Sequence, residues 1–231
     1  MSCSVLFYFE KAIFIGGCFS FHCYLFKLWP ILFLPPLFII LKKEKAIQIS
    51  AIAIIVSLFA FLPYYFPELP NNFSKSLVLY FNYFEFHAGI YHWTKIILDQ
   101  FFNYEVRQVI MFYYKIFPLL LMGLFLWKFR NLKQSKNWLF LCLGILGIYL
   151  LTGSVIQPWY IIPLLVFGIL HGIYTPLFWS LIIPLTYLTY RTFPYAEIHW
   201  VNTAIHLALL LFIAIEFRRK NLVNNALRNY H

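Results

Sequence analysis

Eight apolar stretches fill most of this chain, and the breaks between them fall at prolines and basic residues rather than at soluble loops. They run Ala12–Lys27, Leu28–Leu41, Ala46–Leu62, Arg107–Lys128, Asn137–Thr152, Trp159–Leu170, Thr175–Tyr190 and His199–Phe217. Of the 231 residues, 62% are hydrophobic and 11% charged, against roughly 45–50% and about 25% in soluble domains. Mean hydropathy is +0.76, and 22% of the side chains are aromatic. A soluble fold of this length cannot bury so much apolar surface, so a soluble enzyme, a disordered tail and a nucleic-acid module are excluded. The expected fold is all-α: one transmembrane domain over 1–231, with about eight spans. Several stretches are shorter than the ~20 residues that cross a bilayer. Short, proline-broken spans persist in a membrane only against protein or a wet cavity, which points to a site.

The net charge of +10 is read as topology rather than nucleic-acid affinity, because Lys and Arg gather in cytoplasmic loops. Twelve of the 18 basic residues fall in one alternating set: Lys11, the Lys42–Lys45 cluster, the Lys128–Lys136 cluster and the C-terminal basic run. The opposite set holds Lys75, Lys95, Arg107 and Arg191. This bias predicts both termini cytoplasmic, with which an even number of spans agrees. The long outer loop is then 63–106, whose aromatic runs predict that part of it lies along the interface as a juxtamembrane helix. No basic residue precedes the first apolar residues of the N-terminus, and Lys11 comes only after they begin, unlike a signal peptide. Cys3, Cys18, Cys23 and Cys142 form no C-x-x-C pair and read as small buried hydrophobes. His87, His92 and His199 have no metal-ligand spacing.

Lys27, between two spans, has two open readings. It is a partner for a lipid phosphate, or a lysine snorkelling to the headgroups. Glu85, amid Tyr83-Phe84-Glu85-Phe86-His87, is either a general base or an interfacial acid paired with Lys95 or Arg107. Trp159 and Tyr160, after Gln157-Pro158, can stack on a sugar ring or anchor the helix at the interface. Arg191 and Glu197 flank the last outer turn and can pair with each other. Asn72-Phe73-Ser74 fits a glycosylation sequon.

Four stretches together resemble the mannosyltransferase-like group of GT-C-type polytopic glycosyltransferases, which use polyprenyl-phosphate sugars. Gln157-Pro158-Trp159-Tyr160 resembles the "HPWY" element, and Phe84–Tyr91 its "FEFNaSiY" loop. Lys27–Pro35 resembles its "KxxPxLFLP" turn, and Phe178-Trp179-Ser180 with Tyr187 its "WS…Y" span. Gln157 stands where the group has His, and His87-Ala88-Gly89 where it has Asn-Ala-Ser. The resemblance covers nearly the whole chain. It implies transfer of a sugar, with mannose the expected one, from the carrier to a glycan or lipid acceptor at the outer face of a bacterial inner membrane. It also implies an inverting displacement assisted by a carboxylate base, with Glu85 and His87 shaping the loop over the pocket; the catalytic residue of this chain stays open, and Glu85 is the candidate the residues themselves offer. Lys27 and Arg191 would hold the lipid phosphate. Gln157, Trp159, Tyr160 and His87 would line the sugar or acceptor pocket. No cofactor beyond the lipid-linked donor and no metal are expected; the partners are the carrier, the acceptor and membrane lipids. Group members carry their key acid in an earlier outer loop, so this chain is expected to correspond to their C-terminal portion, with an N-terminal companion polypeptide. The rival expectations are a non-catalytic carrier-binding or transport subunit and an inactive gene fragment.

Overall fold

A computed structural model describes residues 29–62, 65–82, 85–134, 137–191 and 198–229. Lys27, the span at 12–27, Glu197 and three of the four cysteines lie outside the described residues.

Among the described residues the chain is helical and holds no strand. A 3₁₀ turn at Trp29–Phe33 leads into α1 (Leu34–Ile40), followed by α2 (Lys43–Phe61) and α3 (Leu69–Asn82). Next come α4 (Gly89–Phe101), α5 (Tyr104–Tyr114), α6 (Phe117–Lys128) and α7 (Trp138–Thr152). The chain continues through α8 (Ile161–His171), α9 (Thr175–Ile182), a 3₁₀ segment at Ile183–Arg191 and α10 (His199–Asn229). Two helices are long and apolar enough to cross a membrane: Tyr104–Lys128, which comprises α5 and α6, and His199–Arg219 within α10. Three shorter apolar helices cover Ile31–Ile40, Trp138–Thr152 and Pro158–His171.

Prolines set several of these starts. Pro35, Pro158 and Pro176 sit in first turns, where a missing N–H leaves no hydrogen bond unmade. α8 ends at Gly172, in the left-handed region at φ 66°. There Ile173 N–H donates back to Gly168 O at 2.8 Å, a Schellman closure that favours glycine at the turning residue. α5 is capped by Asn103, whose side-chain oxygen accepts from Val106 N–H at 3.0 Å.

The chain groups into two compact units. One comprises the described residues up to Phe81 together with Gly123–Ile145. Its core packs Leu37 and Ala46 with Leu34, Leu41, Ile49 and Trp138. Phe125, Phe129 and Phe140 meet there with ring centroids 4.8–5.9 Å apart. The other unit comprises Asn82–Met122 and Leu146–His231. α8 and α9 pack together and α9 packs on α10, burying Leu164, Trp179, Ile205 and Leu209. Phe178 lies parallel to Phe212 at 4.4 Å. Ala88, Tyr91 and Met111 make a second cluster between α4 and α5.

The stretch expected as one outer loop, 63–106, is mostly helical: α3 and α4 occupy it and α5 begins before it ends. Many large apolar side chains face outward, among them Ile54, Ile55, Leu58 and Phe59 on α2.

Candidate functional site

Two loops 70 residues apart in sequence are joined by backbone alone. Phe86 N–H donates to Ser154 O at 3.0 Å, and Ile156 N–H donates to Phe86 O at 2.8 Å. This parallel bridge between Phe86 and Val155 sets Glu85 and His87 beside the segment that leads into Gln157, Trp159 and Tyr160. The 158–160 turn packs in turn against the 183–191 segment, whose Tyr190 ring lies 6.2 Å from Phe86. Arg191 follows directly. Five of the expected site residues therefore gather with Arg191 on one set of loops, and Lys27 lies outside the described residues.

Glu85 is committed to a local network. Lys95 Nζ donates to both of its oxygens, at 2.9 and 2.8 Å, and Tyr91 Oη donates to Oε1 at 3.1 Å. Both partners come from α4, one helical turn apart, as their i, i+4 spacing requires. Burial and the adjacent Glu85 carboxylate hold the Tyr91 hydroxyl well above its usual range, so it remains a donor. Of the partners expected for Glu85, Lys95 is the one it takes; Arg107 pairs with Asp99.

His87 is buried and has a φ of 52°, a conformation that non-glycine residues adopt rarely but His more readily than most. Its Nδ1 donates to Asn202 Oδ1 at 2.9 Å. Burial lowers its pKa to about 3, helped by His206 and opposed by the Asn202 bond, so the ring is neutral near pH 7. Two residues on, Gly89 opens α4 directly beneath the His206 imidazole, and a Cβ at 89 would overlap that ring. His206 Nδ1 donates to the Asn202 carbonyl at 2.8 Å. A second histidine pair, His92 and His199, stacks at 4.4 Å. Burial lowers the His92 pKa, with His199 and Lys95 adding to the effect and Glu85 opposing it. Trp93 Nε1 donates to Thr203 Oγ1 at 3.2 Å.

Gln157 is buried, and its Oε1 accepts no hydrogen bond among the described residues. Trp159 is exposed and meets Tyr160 edge to face at 6.2 Å. The gathered groups combine neutral donors and acceptors (amide, imidazole, indole and phenol) with the Glu85–Lys95 ion pair and the Arg191 cation. Such a set suits the hydroxyls and ring faces of a polar organic ligand. Among the described residues no group of three or more His, Cys, Asp or Glu could hold a metal ion.

Asn202, Thr203 and His206 escaped the sequence reading, although their signal was present. They interrupt the apolar run of α10, and the i, i+4 pair Asn202 and His206 shares one helix face. Polar residues inside an apolar span mark sites more often than ornament. No protein-family model, no curated protein and no solved structure matches the chain.

Proposed function

We propose that the chain is a multi-pass membrane protein whose outer-end loops bind a polyprenyl-phosphate-linked sugar for glycosyl transfer, in the manner of the mannosyltransferase-like group it resembles. The observation that carries this reading is the Phe86–Val155 bridge. Two of the four motif stretches are distant in sequence, yet share a backbone hydrogen-bonded contact. The large outward-facing apolar side chains support a lipid surround, since soluble monomers expose contiguous patches of only a few hundred Å². Together with the basic-residue bias they support about eight spans in a bacterial inner membrane, with both termini inside.

In this reading Arg191, with Lys27, holds the carrier phosphate by charge-assisted hydrogen bonds. Trp159 and Tyr160 stack on the sugar, and Gln157 Oε1 accepts from a sugar hydroxyl. His87 supports the loop carrying Glu85. The grip of Lys95 on both Glu85 oxygens favours a second reading for this chain alone: it holds the carrier sugar, and the catalytic carboxylate comes from elsewhere.

The test is retention of radiolabelled polyprenyl-phosphate mannose by the purified full chain in lipid nanodiscs. Saturable retention, weakened at least tenfold by Arg191→Ala or Gln157→Ala, is expected. Retention equal to that of empty nanodiscs would overturn the proposal. Adding an acceptor then separates the two readings: label released onto it means transfer, and label that stays means binding alone.

A further inference from the structure

Four histidines, scattered over 120 residues of sequence, meet as two ring pairs where the start of α4 meets the start of α10. His87 and His206 lie 4.6 Å apart and tilted, and His92 and His199 lie 4.4 Å apart and stacked. One ring of each pair belongs to the 87–92 stretch and the other to α10. The pairs therefore clasp that stretch to a long helix. The Nδ1 atoms of His87 and His206 both donate to Asn202, which places a proton on each Nδ1 and leaves Nε2 as the atom that protonation would charge.

We propose that this histidine layer is a pH-operated latch: neutral imidazoles hold residues 85–92 against α10, and protonation releases them.

Each ring pair is stable as two neutral rings and poor as two cations, since like charges at 4–5 Å repel strongly where water is scarce. A second cost falls on single protonation. The Nε2 atoms of His92 and His206 are buried and have no hydrogen-bond partner among the described residues, so a proton there would be a buried charge with no acceptor. The surrounding charges do little to offset this. Glu85 faces His92, but Lys95 faces it too and holds the carboxylate. The 183–191 segment brings Tyr190 against Phe86 and ends in Arg191, a further cation. α5 brings Tyr114 against Tyr91. The closed layer thus binds fewer protons than an opened one, in agreement with the lowered pKa values of His87 and His92. A group with a depressed histidine pKa stabilises the closed form above its open-state value of about 6.5 and loses that advantage as pH falls below it. Opening would unseat Phe86 from Val155 and so dismantle the loop pair, whatever ligand that pair binds.

Hydrogen exchange on the full chain in nanodiscs tests this without any ligand. After correction for intrinsic rates, amides of residues 85–92 should exchange about 30-fold faster at pH 5.0 than at pH 7.5 if opening takes up one proton, and about 1000-fold faster if it takes up two. Amides of α8 in the same sample should change less than threefold. His87→Asn combined with His92→Asn should flatten the dependence. Equal corrected exchange at the two pH values, matching acceleration in α8, or an unchanged pH dependence in the double variant would each overturn the latch. The wild-type slope between pH 6.0 and 5.0 stands without the variant: about 0.9 decade is expected for one proton and about 1.8 decades for two, and zero contradicts the latch.

Discussion

Gly89 opens α4 where the His206 ring leaves no space for a methyl group. Gly89→Ala should therefore lower stability by about 1–3 kcal/mol, the usual cost of overpacking a tight contact, despite alanine's better helix propensity. His206→Ala should recover much of that loss in the double variant, as thermal melts of the four proteins would show. The left-handed backbone at His87 separates two other substitutions. Asn tolerates that region, whereas a β-branched residue does not, so His87→Val should cost about 1–3 kcal/mol more than His87→Asn. Glu85 and Lys95 are each about a third exposed, at 33% and 34%. Solvent therefore weakens their pair to about 1 kcal/mol or less, and Glu85→Gln should leave the melting temperature nearly unchanged. Its effect on transfer is more informative: a general base would lose about 10²–10⁴-fold in rate, whereas a carboxylate held by lysine would lose less than tenfold.

Among the elements, α9 is anchored by a residue far along the chain. Glu216 on α10 accepts from the Tyr174 and Thr175 N–H groups at 2.8 and 2.9 Å and from Thr175 Oγ1 at 2.6 Å. These orphan donors at a helix start are well matched by an anion. Glu216→Ala should cost about 1–3 kcal/mol, since hydrogen bonds to a charged group are the stronger kind, and should speed exchange of the first α9 amides. Sequence alone located most elements of this unit: the stretches at 159–170, 175–190 and 199–217 match α8, α9 with its 3₁₀ extension, and the apolar part of α10. Periodicity and proline positions are local signals and they survive folding. What could not be read is which helices touch. The Asn202–His87 bond and the Glu216 cap span 115 and about 42 residues, and no local pattern encodes such pairings. Within 63–106 the aromatic runs signal a juxtamembrane helix, but the number and bounds of the helices there are not legible, because their polar and aromatic content, Asn71 to Ser76 above all, carries no long apolar run.

At the scale of the molecule, two helices among the described residues have the length and composition to cross a bilayer, and the proposed account adds further spans and a direction. Its direction is testable by labelling single cysteines at Asn72 and Asn131, both exposed, in a background lacking the four native cysteines. An impermeant maleimide added to intact cells should label position 72 and spare position 131 until the membrane is opened. The reverse pattern would turn the proposed site to the cytoplasm. The candidate residues at 85, 87, 157, 159, 160 and 191 are legible in the sequence on motif stretches and single charges, and they fall on loops that meet. The histidine layer and Asn202 beneath them were not legible, because their meaning lies in stacking across elements. The account's central claim, that these loops hold a lipid-linked sugar, is met most directly by photocrosslinking. A photoreactive phenylalanine analogue at Trp159 should capture labelled polyprenyl-phosphate mannose, with unlabelled carrier competing the signal away. The same analogue at Phe217, near the far end of the apolar part of α10, should capture little. Equal capture at both positions, or none at 159, would contradict the claim.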